Sequence, residues 1–177
     1  MAALTQPEIH AEGLLLRPWQ PSDRPAVVAA YADPAIQRWH CRSMTDDEAH
    51  DWIAAWPDRW RGETGAGWAV LDARNVVGQI SLRRVALAEG LAEVSYWVLP
   101  DARGRRVATR ALTALAAWCF DTLKLHRAEL CHSTANVASC RVAGYAGFAA
   151  EGTKRREGRH ADGWHDMHLH ARLAGDL

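Results

Sequence analysis

An α+β fold with a mixed, twisted central sheet flanked by helices is predicted by three features of this sequence. Helical patterns dominate the N-terminal third, a strand meander follows, and the C-terminal half alternates strand, helix, strand, helix before a final hairpin. The strongest strand, Leu91 to Val98, runs directly into the strongest helix, from about Arg106 to Asp121. No repeat or linker interrupts the 177 residues, so residues 1–177 are expected to form one domain.

Leu14-Leu15-Leu16-Arg17-Pro18-Trp19 reads as a short first strand that stops at Pro18. Ser22 can cap a helix to about Tyr31, with Pro25 in the first turn, where a missing N–H costs little. Asp33-Pro34 ends it. Thr45-Asp46-Asp47-Glu48 is a capping box, opening a helix to about Arg61 with an apolar stripe of Ala49, Trp52, Ile53, Trp56 and Trp60. Pro57 falls inside this pattern and predicts a kink or two helical pieces.

Gly67 to Leu71 and Val76 to Leu82 read as strands joined by a turn at Asp72-Ala73-Arg74-Asn75. In Leu91 to Val98, Glu93, Ser95 and Trp97 share one face, and Val94, Tyr96 and Val98 the other. The next helix repeats apolar residues every fourth position, at Val107, Ala111, Leu115, Cys119 and at Ala108, Leu112, Ala116, Phe120. Arg127 to Cys131 is a strand, and Asn136 to Ala146 a short helix ended at Gly147. Strands near Phe148 to Thr153 and Trp164 to Arg172 are expected to flank a charged loop, Lys154 to Asp162.

Composition narrows the function. Lys plus Arg and Asp plus Glu are both 21, so the formal net charge is zero, which argues against a dedicated nucleic-acid partner. No apolar run is long enough to span a membrane, and the first residues lack a basic start and apolar segment, so neither a membrane partner nor a secretory signal is expected. Cys41, Cys119, Cys131 and Cys140 form no CxxC and no compact disulfide framework; buried free thiols in a cytoplasmic protein are expected. Nine tryptophans are unusual for this length and suit aromatic anchoring in a homodimer. Neither G-x-x-x-x-G-K-[ST] nor H-E-x-x-H occurs.

The junction from Val98 to Thr109 joins strand to helix and makes a natural anion site, because unpaired N–H groups at a helix start point at the ligand and the dipole favours negative charge. Arg103, Arg105 and Arg106 add positive charge there, and Thr109 a hydroxyl. His168 and His170 share a strand face, where substrate lining or plain surface is the expectation and no metal is assigned.

This junction resembles the Q/R-x-x-G-x-G/A motif of the GCN5-related N-acetyltransferase (GNAT) superfamily, with Arg103 first, Ala108 last, and Arg106 where the middle glycine is usual. Asn136-Val137-Ala138-Ser139-Cys140-Arg141-Val142 before Gly147-Phe148 resembles the N-x-A-S-x-R-V run of the branch containing the ribosomal-protein N-terminal acetyltransferases (RimJ/RimL-like). Leu16-Arg17-Pro18-Trp19, Ala92 to Val98, and Glu151-Gly152 with Arg155 are similar to that branch too, so the likeness covers nearly the whole chain.

The resemblance implies the GNAT acyl-CoA N-acyltransferase fold and transfer of an acetyl group from acetyl-CoA to an amine of a protein N-terminus or small molecule. It places the pyrophosphate on Arg103, Gly104, Arg105, Arg106, Val107, Ala108 and Thr109. It implies two splayed strands with the pantetheine arm between them, bonded to Trp97, Val98 and Leu99, with Asn136 near the arm and Ser139 near the sulfur. Many members place a tyrosine seven residues beyond the asparagine as general acid; Ala143 stands there, and Tyr145 is on another helical face. Ser139, or a water it holds, is therefore the expected proton donor, Glu93 the first candidate base and His132 the second. Trp39, His40, Trp52, Trp56 and Trp60, with Glu157, Asp162 and Asp166, are the candidates around the acceptor. A non-catalytic acyl-CoA binder and a succinyl or other acyl-CoA dependent enzyme are the alternatives.

Overall fold

In a computed structural model that describes residues 1–176, eight strands form one sheet in the order β1-β2-β3-β4-β5-β6-β8-β7. The strands are β1 Ile9–Ala11, β2 Leu14–Pro18, β3 Ala66–Asp72, β4 Asn75–Ala86, β5 Leu91–Val98, β6 Arg127–Ser133, β7 Ala149–His160 and β8 Gly163–Leu173. The helices are α1 Arg24–Ala32, α2 Pro34–His40, α3 Asp46–Ala54, α4 Trp56–Arg61, α5 Val107–Asp121 and α6 Val137–Tyr145. All neighbouring strands are antiparallel except β5 and β6, which run parallel with α5 as their crossover. The predicted α+β architecture is thus the observed one.

The local signals account for most boundaries. Thr45 and Glu48 close the capping box of α3, with the Thr45 amide donating to Glu48 at 2.7 Å and the Glu48 amide to Thr45 Oγ1 at 3.3 Å. Pro57 falls in the first turn of α4, so the expected single helix is two, divided at Ala55. Asp33 caps α2 by accepting from the Ile36 amide at 2.9 Å. That helix was not expected: Pro34 ends one helix and, at the first position of the next, begins another.

Two hydrophobic layers hold the sheet. On one face, Leu16, Trp68, Ile80, Leu82, Val94 and Leu130 pack beneath Leu112, Leu115 and Cys119 of α5. On the other, Ala69, Leu71 and Trp97 meet Trp19, Val27, Tyr31, Ile53 and Trp56. Because β3 is covered on both faces, Ala66 to Leu71 are all buried. Gly67 is required there, since a Cβ would land on the Trp56 indole.

One boundary differs from expectation. The charged stretch Lys154 to Asp162 is not a loop, because β7 continues to His160 and the turn is only two residues. This strand is one edge of the sheet, opposite β1, is exposed along most of its length, and carries bulges between Ala150 and Gly152 and between Lys154 and Gly158. An edge strand outside the core needs no apolar alternation, and its charges discourage pairing with other chains, so the usual strand signal was missing.

Candidate active site

The sheet opens at its centre. β5 and β6 pair only through Leu91, Ala92 and Glu93 with Arg127, Ala128 and Glu129, and then part. β6 turns its other edge to β8 along its whole length, from Arg127 with Leu173 to Ser133 with Met167. The opening is therefore bounded by intact ladders on both sides, and the expected splay is present.

Two cavities occupy this opening. One, of about 440 Å³, is lined by Trp97, Val98, Arg103, Gly104, Arg106, Val107, Ala108 and Thr109, and closed by Asn136 and Ser139. The other, of about 520 Å³, is lined by Glu93, Glu129, Cys131, His132, Glu157 and His160, among others. Trp39, His40, Tyr96, Asn136 and Ser139 line both, so these five residues mark the passage between them.

The first cavity is floored by the start of α5. Gly104 has φ +77° and Arg106 φ +55°, so the chain turns through the left-handed region twice before Val107 begins the helix. The first suits glycine; at the second an L-residue carries a steric cost. The Arg106 guanidinium lies over the Tyr145 ring, 5.9 Å from its centroid, which carries its charge toward the C-terminal end of α6. Arg103 donates to Asp33 at 2.6 Å and to the Val98 carbonyl at 3.2 Å, so it buttresses the turn.

Two expected members of this group lie elsewhere. Arg105 is paired with Asp72 at the end of β3 and does not line the cavity, because the left-handed turn on each side of it swings its side chain outward. Leu99 also does not line it, and its amide donates to the Val77 carbonyl at 2.9 Å.

Asn136 caps α6, its Oδ1 accepting from the Ser139 amide at 3.1 Å, which sets Ser139 in the first turn. The Ser139 hydroxyl lies 2.7 Å from that of Tyr96 on β5. Burial pushes the Tyr96 phenol up to about 12, opposed by the Ser139 bond, so it is a protonated donor at neutral pH. Tyr96 was the residue the sequence reading passed over. It comes from β5 and not from α6, the helix where a tyrosine was sought, and only its inclusion in the Ala92 to Val98 run hinted at it. Ala143 is buried and Tyr145 is exposed at the far end of α6.

Glu93 points to the opposite face of the sheet from Tyr96, as strand alternation requires. It lies beside Glu129, its register partner, with the Arg83 Nε at 3.4 Å. Cys131 follows on that face of β6, its thiol pushed up to about 11 by burial and the nearby Glu157 carboxylate. His40 donates from Nε2 to the Tyr96 carbonyl at 3.2 Å, and its burial pushes the imidazole below its ordinary value and keeps it neutral.

His132 faces the α6 side, away from Glu93, because it is an odd number of positions from Glu129. It is 6% exposed and its Nδ1 donates to the Ser133 carbonyl at 2.8 Å. Of the acceptor candidates, Trp39, His40 and Glu157 line the cavity, whereas Trp56 and Trp60 are core and Trp52 packs edge-on between Trp19 and Trp56. Asp162 is engaged by Arg38 and His165, and Asp166 accepts from the Arg156 amide at 2.8 Å.

A splayed strand pair, a left-handed turn into a helix, and an asparagine-capped helix opposite now stand together. The family model described as "Acetyltransferase (GNAT) domain" matches residues 13–149. The chain belongs to the GNAT acetyltransferases. Among curated GNAT-like proteins, the Bacillus subtilis (strain 168) "Putative ribosomal N-acetyltransferase YdaF" is 28% identical over 123 residues, covering 70% of this chain and 67% of the relative. The "Uncharacterized N-acetyltransferase YoaA" of the same organism is 23% identical over 154 residues, covering 85% and 87%. Among solved structures, the ribosomal L7/L12 alpha-N-protein acetyltransferase RimL in complex with coenzyme A aligns with a TM-score of 0.87 at 19% identity, over 94% of this chain and 98% of that one. Mycobacterium smegmatis RimJ in complex with CoA-disulfide gives 0.86 at 24% identity, over 97% and 88%. At these identities the structures establish the shared GNAT fold. The four cysteines of this GNAT chain are free, but only Cys119 is buried; Cys41 is exposed, a correction to the expectation of uniformly buried thiols.

Proposed function

We propose that this protein transfers an acetyl group from acetyl-CoA to a primary amine, by direct attack within a ternary complex. The supporting observation is the meeting of two cavities at the Tyr96–Ser139 pair, where the sheet opens. In this reading the pyrophosphate rests on the amides from Gly104 to Thr109, with Arg103 and Arg106 bordering it. Pantetheine lies along Trp97 and Val98, opposite Asn136. The amine arrives through the larger cavity, past Glu93 and His40.

The chemistry then divides between the two faces of the sheet. The amine nitrogen forms a bond to the thioester carbon, and its proton passes to Glu93, directly or through water. A backbone N–H near Val98 stabilises the oxyanion. As the carbon–sulfur bond breaks, the thiolate takes a proton from Ser139, which is resupplied by Tyr96; water then returns a proton to Tyr96 and takes one from Glu93, which closes the cycle. Base and acid thus approach from opposite faces, and neither competes for the other's proton. His132, on the α6 face and bonded to a backbone carbonyl, is the weaker base candidate.

A protein N-terminus is the first acceptor to test, since relatives of this chain carry ribosomal N-acetyltransferase names. A homodimer was expected because the resembled branch often dimerises and the chain is rich in tryptophan; the fold buries or half-buries eight of the nine tryptophans and leaves Trp164 exposed. The deciding experiment is a mass-resolved acylation screen using peptides starting with Ala or Ser, aminoglycosides, polyamines and amino acids, each with acetyl- and succinyl-CoA. Amine-dependent release of free CoA with an acetylated product is expected. Tight coenzyme binding with no turnover across the panel would overturn the reading, and preference for succinyl-CoA would change the donor.

A further inference from the structure

Beneath α6 the fold assembles a second group of reactive side chains. His132 on β6 is in register with His168 on β8, and His170 lies two residues further along the same face. Cys140 on α6 completes the group. One donor atom from each of the four lies within 4.8 Å of the other three.

The hydrogen bonding around this group is incomplete in a specific way. His132 Nδ1 donates to the Ser133 carbonyl at 2.8 Å, and His170 Nδ1 meets the Phe148 carbonyl at 3.3 Å. A carbonyl can only accept, so both rings carry their proton on Nδ1 and present a lone pair from Nε2. Those two Nε2 atoms, and Nδ1 of His168, are buried without any partner among the described residues. His132 is 6% exposed and His170 3%, so water does not readily serve them. The other close histidine pair provides a contrast. His160 and His165 stack at 4.3 Å, but His160 Nδ1 meets the Arg38 carbonyl, and His165 meets both Ser133 and Asp162.

We propose that His132, His168, His170 and Cys140 bind a zinc-class divalent cation in a closed, four-coordinate site. Three imidazoles and one thiolate are a borderline-soft donor set suited to zinc. The backbone carbonyls behind His132 and His170 are the outer partners that orient metal-binding imidazoles and fix their tautomer. Ligands about 2.0–2.3 Å from a tetrahedral zinc stand roughly 3.3–3.8 Å apart, so the set closes with ångström-scale side-chain movement. Cys140 and His168 are only half-buried, which leaves a way in. Binding displaces one proton, from the Cys140 thiol.

Four protein ligands leave no open position, so the ion here is structural. It ties α6 to β6 and β8, and it anchors the residue next to Ser139. It also occupies the His132 lone pair, which removes that residue from the acid–base chemistry. None of this depends on which group the enzyme transfers.

The test is direct binding by the purified full chain after removal of metal with a chelator. Zinc titrated against a chromophoric competitor should bind at one equivalent and raise the melting temperature. Cobalt(II) should give intense tetrahedral d–d bands and a thiolate-to-cobalt charge-transfer band. In Cys140→Ser the charge-transfer band should vanish, and in His170→Ala affinity should fall at least about 100-fold, since loss of even an outer-shell partner typically costs roughly 10–100-fold. Zinc should also protect Cys140, but not exposed Cys41, from alkylation, a readout on the wild-type chain that needs no variant to fold. Failure of the wild type to take up zinc, cobalt spectra without charge transfer, or equal alkylation of Cys140 with and without zinc would each overturn the proposal. Acetyl transfer is not a readout, so failure here is separate from failure of the proposed reaction.

Discussion

The hydroxyls of Tyr96 and Ser139 face each other at 2.7 Å across the opening between β5 and β6, bridging a strand and a helix that backbone pairing leaves apart. If the proton reaches the leaving sulfur through this pair, Tyr96→Phe should lower kcat by roughly 10²-fold or more, within the range for a positioned proton donor. Ser139→Ala should lower it less, because a water can take the hydroxyl's place beside Tyr96. In a double-mutant cycle the two losses should be clearly non-additive. Additive losses, or wild-type kcat in Tyr96→Phe, would remove the pair from the proton path.

Glu93 stands on the other face, beside Glu129 and the Arg83 guanidinium. Glu93→Gln should lower turnover by about 10²–10⁴-fold. Coenzyme affinity by calorimetry should barely change. Retention of wild-type turnover would place the base elsewhere, with His40, neutral at the passage between the cavities, next in line.

The two arginines flanking Gly104 should behave differently toward coenzyme A. Arg103 borders the cavity, while Arg105 is occupied by Asp72 outside it. Arg103→Glu should weaken coenzyme A binding about fivefold or more, because a unit charge about 4 Å from a phosphate charge is worth about 1 kcal/mol even in bulk water and reversal doubles the effect. Arg105→Glu should leave affinity within about twofold. Equal losses, measured by calorimetry at one ionic strength, would contradict the placement.

Arg106 occupies a left-handed position with φ +55°. Replacement by glycine and by alanine removes the guanidinium equally, so the two variants differ in backbone cost. Arg106→Gly should be more stable than Arg106→Ala by about 1 kcal/mol, or roughly 2–4 °C in Tm for a chain of this size. Equal melting temperatures would mean that the turn relaxes.

His40 is kept neutral by burial, with the neighbouring arginines acting in the same direction against its bond to the Tyr96 carbonyl. As pH falls through about 6.5, the unfolded chain binds this proton first. Stability should therefore decline below that pH, and His40 contributes no slope above it. Thermal melts at about pH 7.5 and 5.5 should show a smaller loss in His40→Gln than in the wild type. Equal losses would clear His40 of this role.

Local signals in the sequence were sufficient wherever a residue acts on its own neighbours along the chain. Thr45 and Glu48 announce a helix start, Pro57 divides a helix, and the four-residue apolar repeat from Val107 to Cys119 predicts both α5 and its buried face. The strand–turn–helix from Val98 to Thr109 and the Asn136 to Ser139 run were readable as a candidate site for the same reason, since each is one contiguous turn. The edge strand β7 was not readable, because a strand outside the core carries charges and bulges in place of alternation.

By itself, then, the sequence determined the helices and strands that bury a face, the strand–turn–helix junction that opens α5, and the acetyltransferase pattern spread along the chain. Only the tertiary structure decided which side chains meet. Tyr96 and Ser139 are 43 residues apart, and His132 is far in sequence from His168 and His170. Their contacts depend on the register of β6 with β8 and on where β5 leaves β6. The physical reason is that strand register is set by the sum of pairings across the whole sheet and by the core packed on it, and neither is encoded within any one segment.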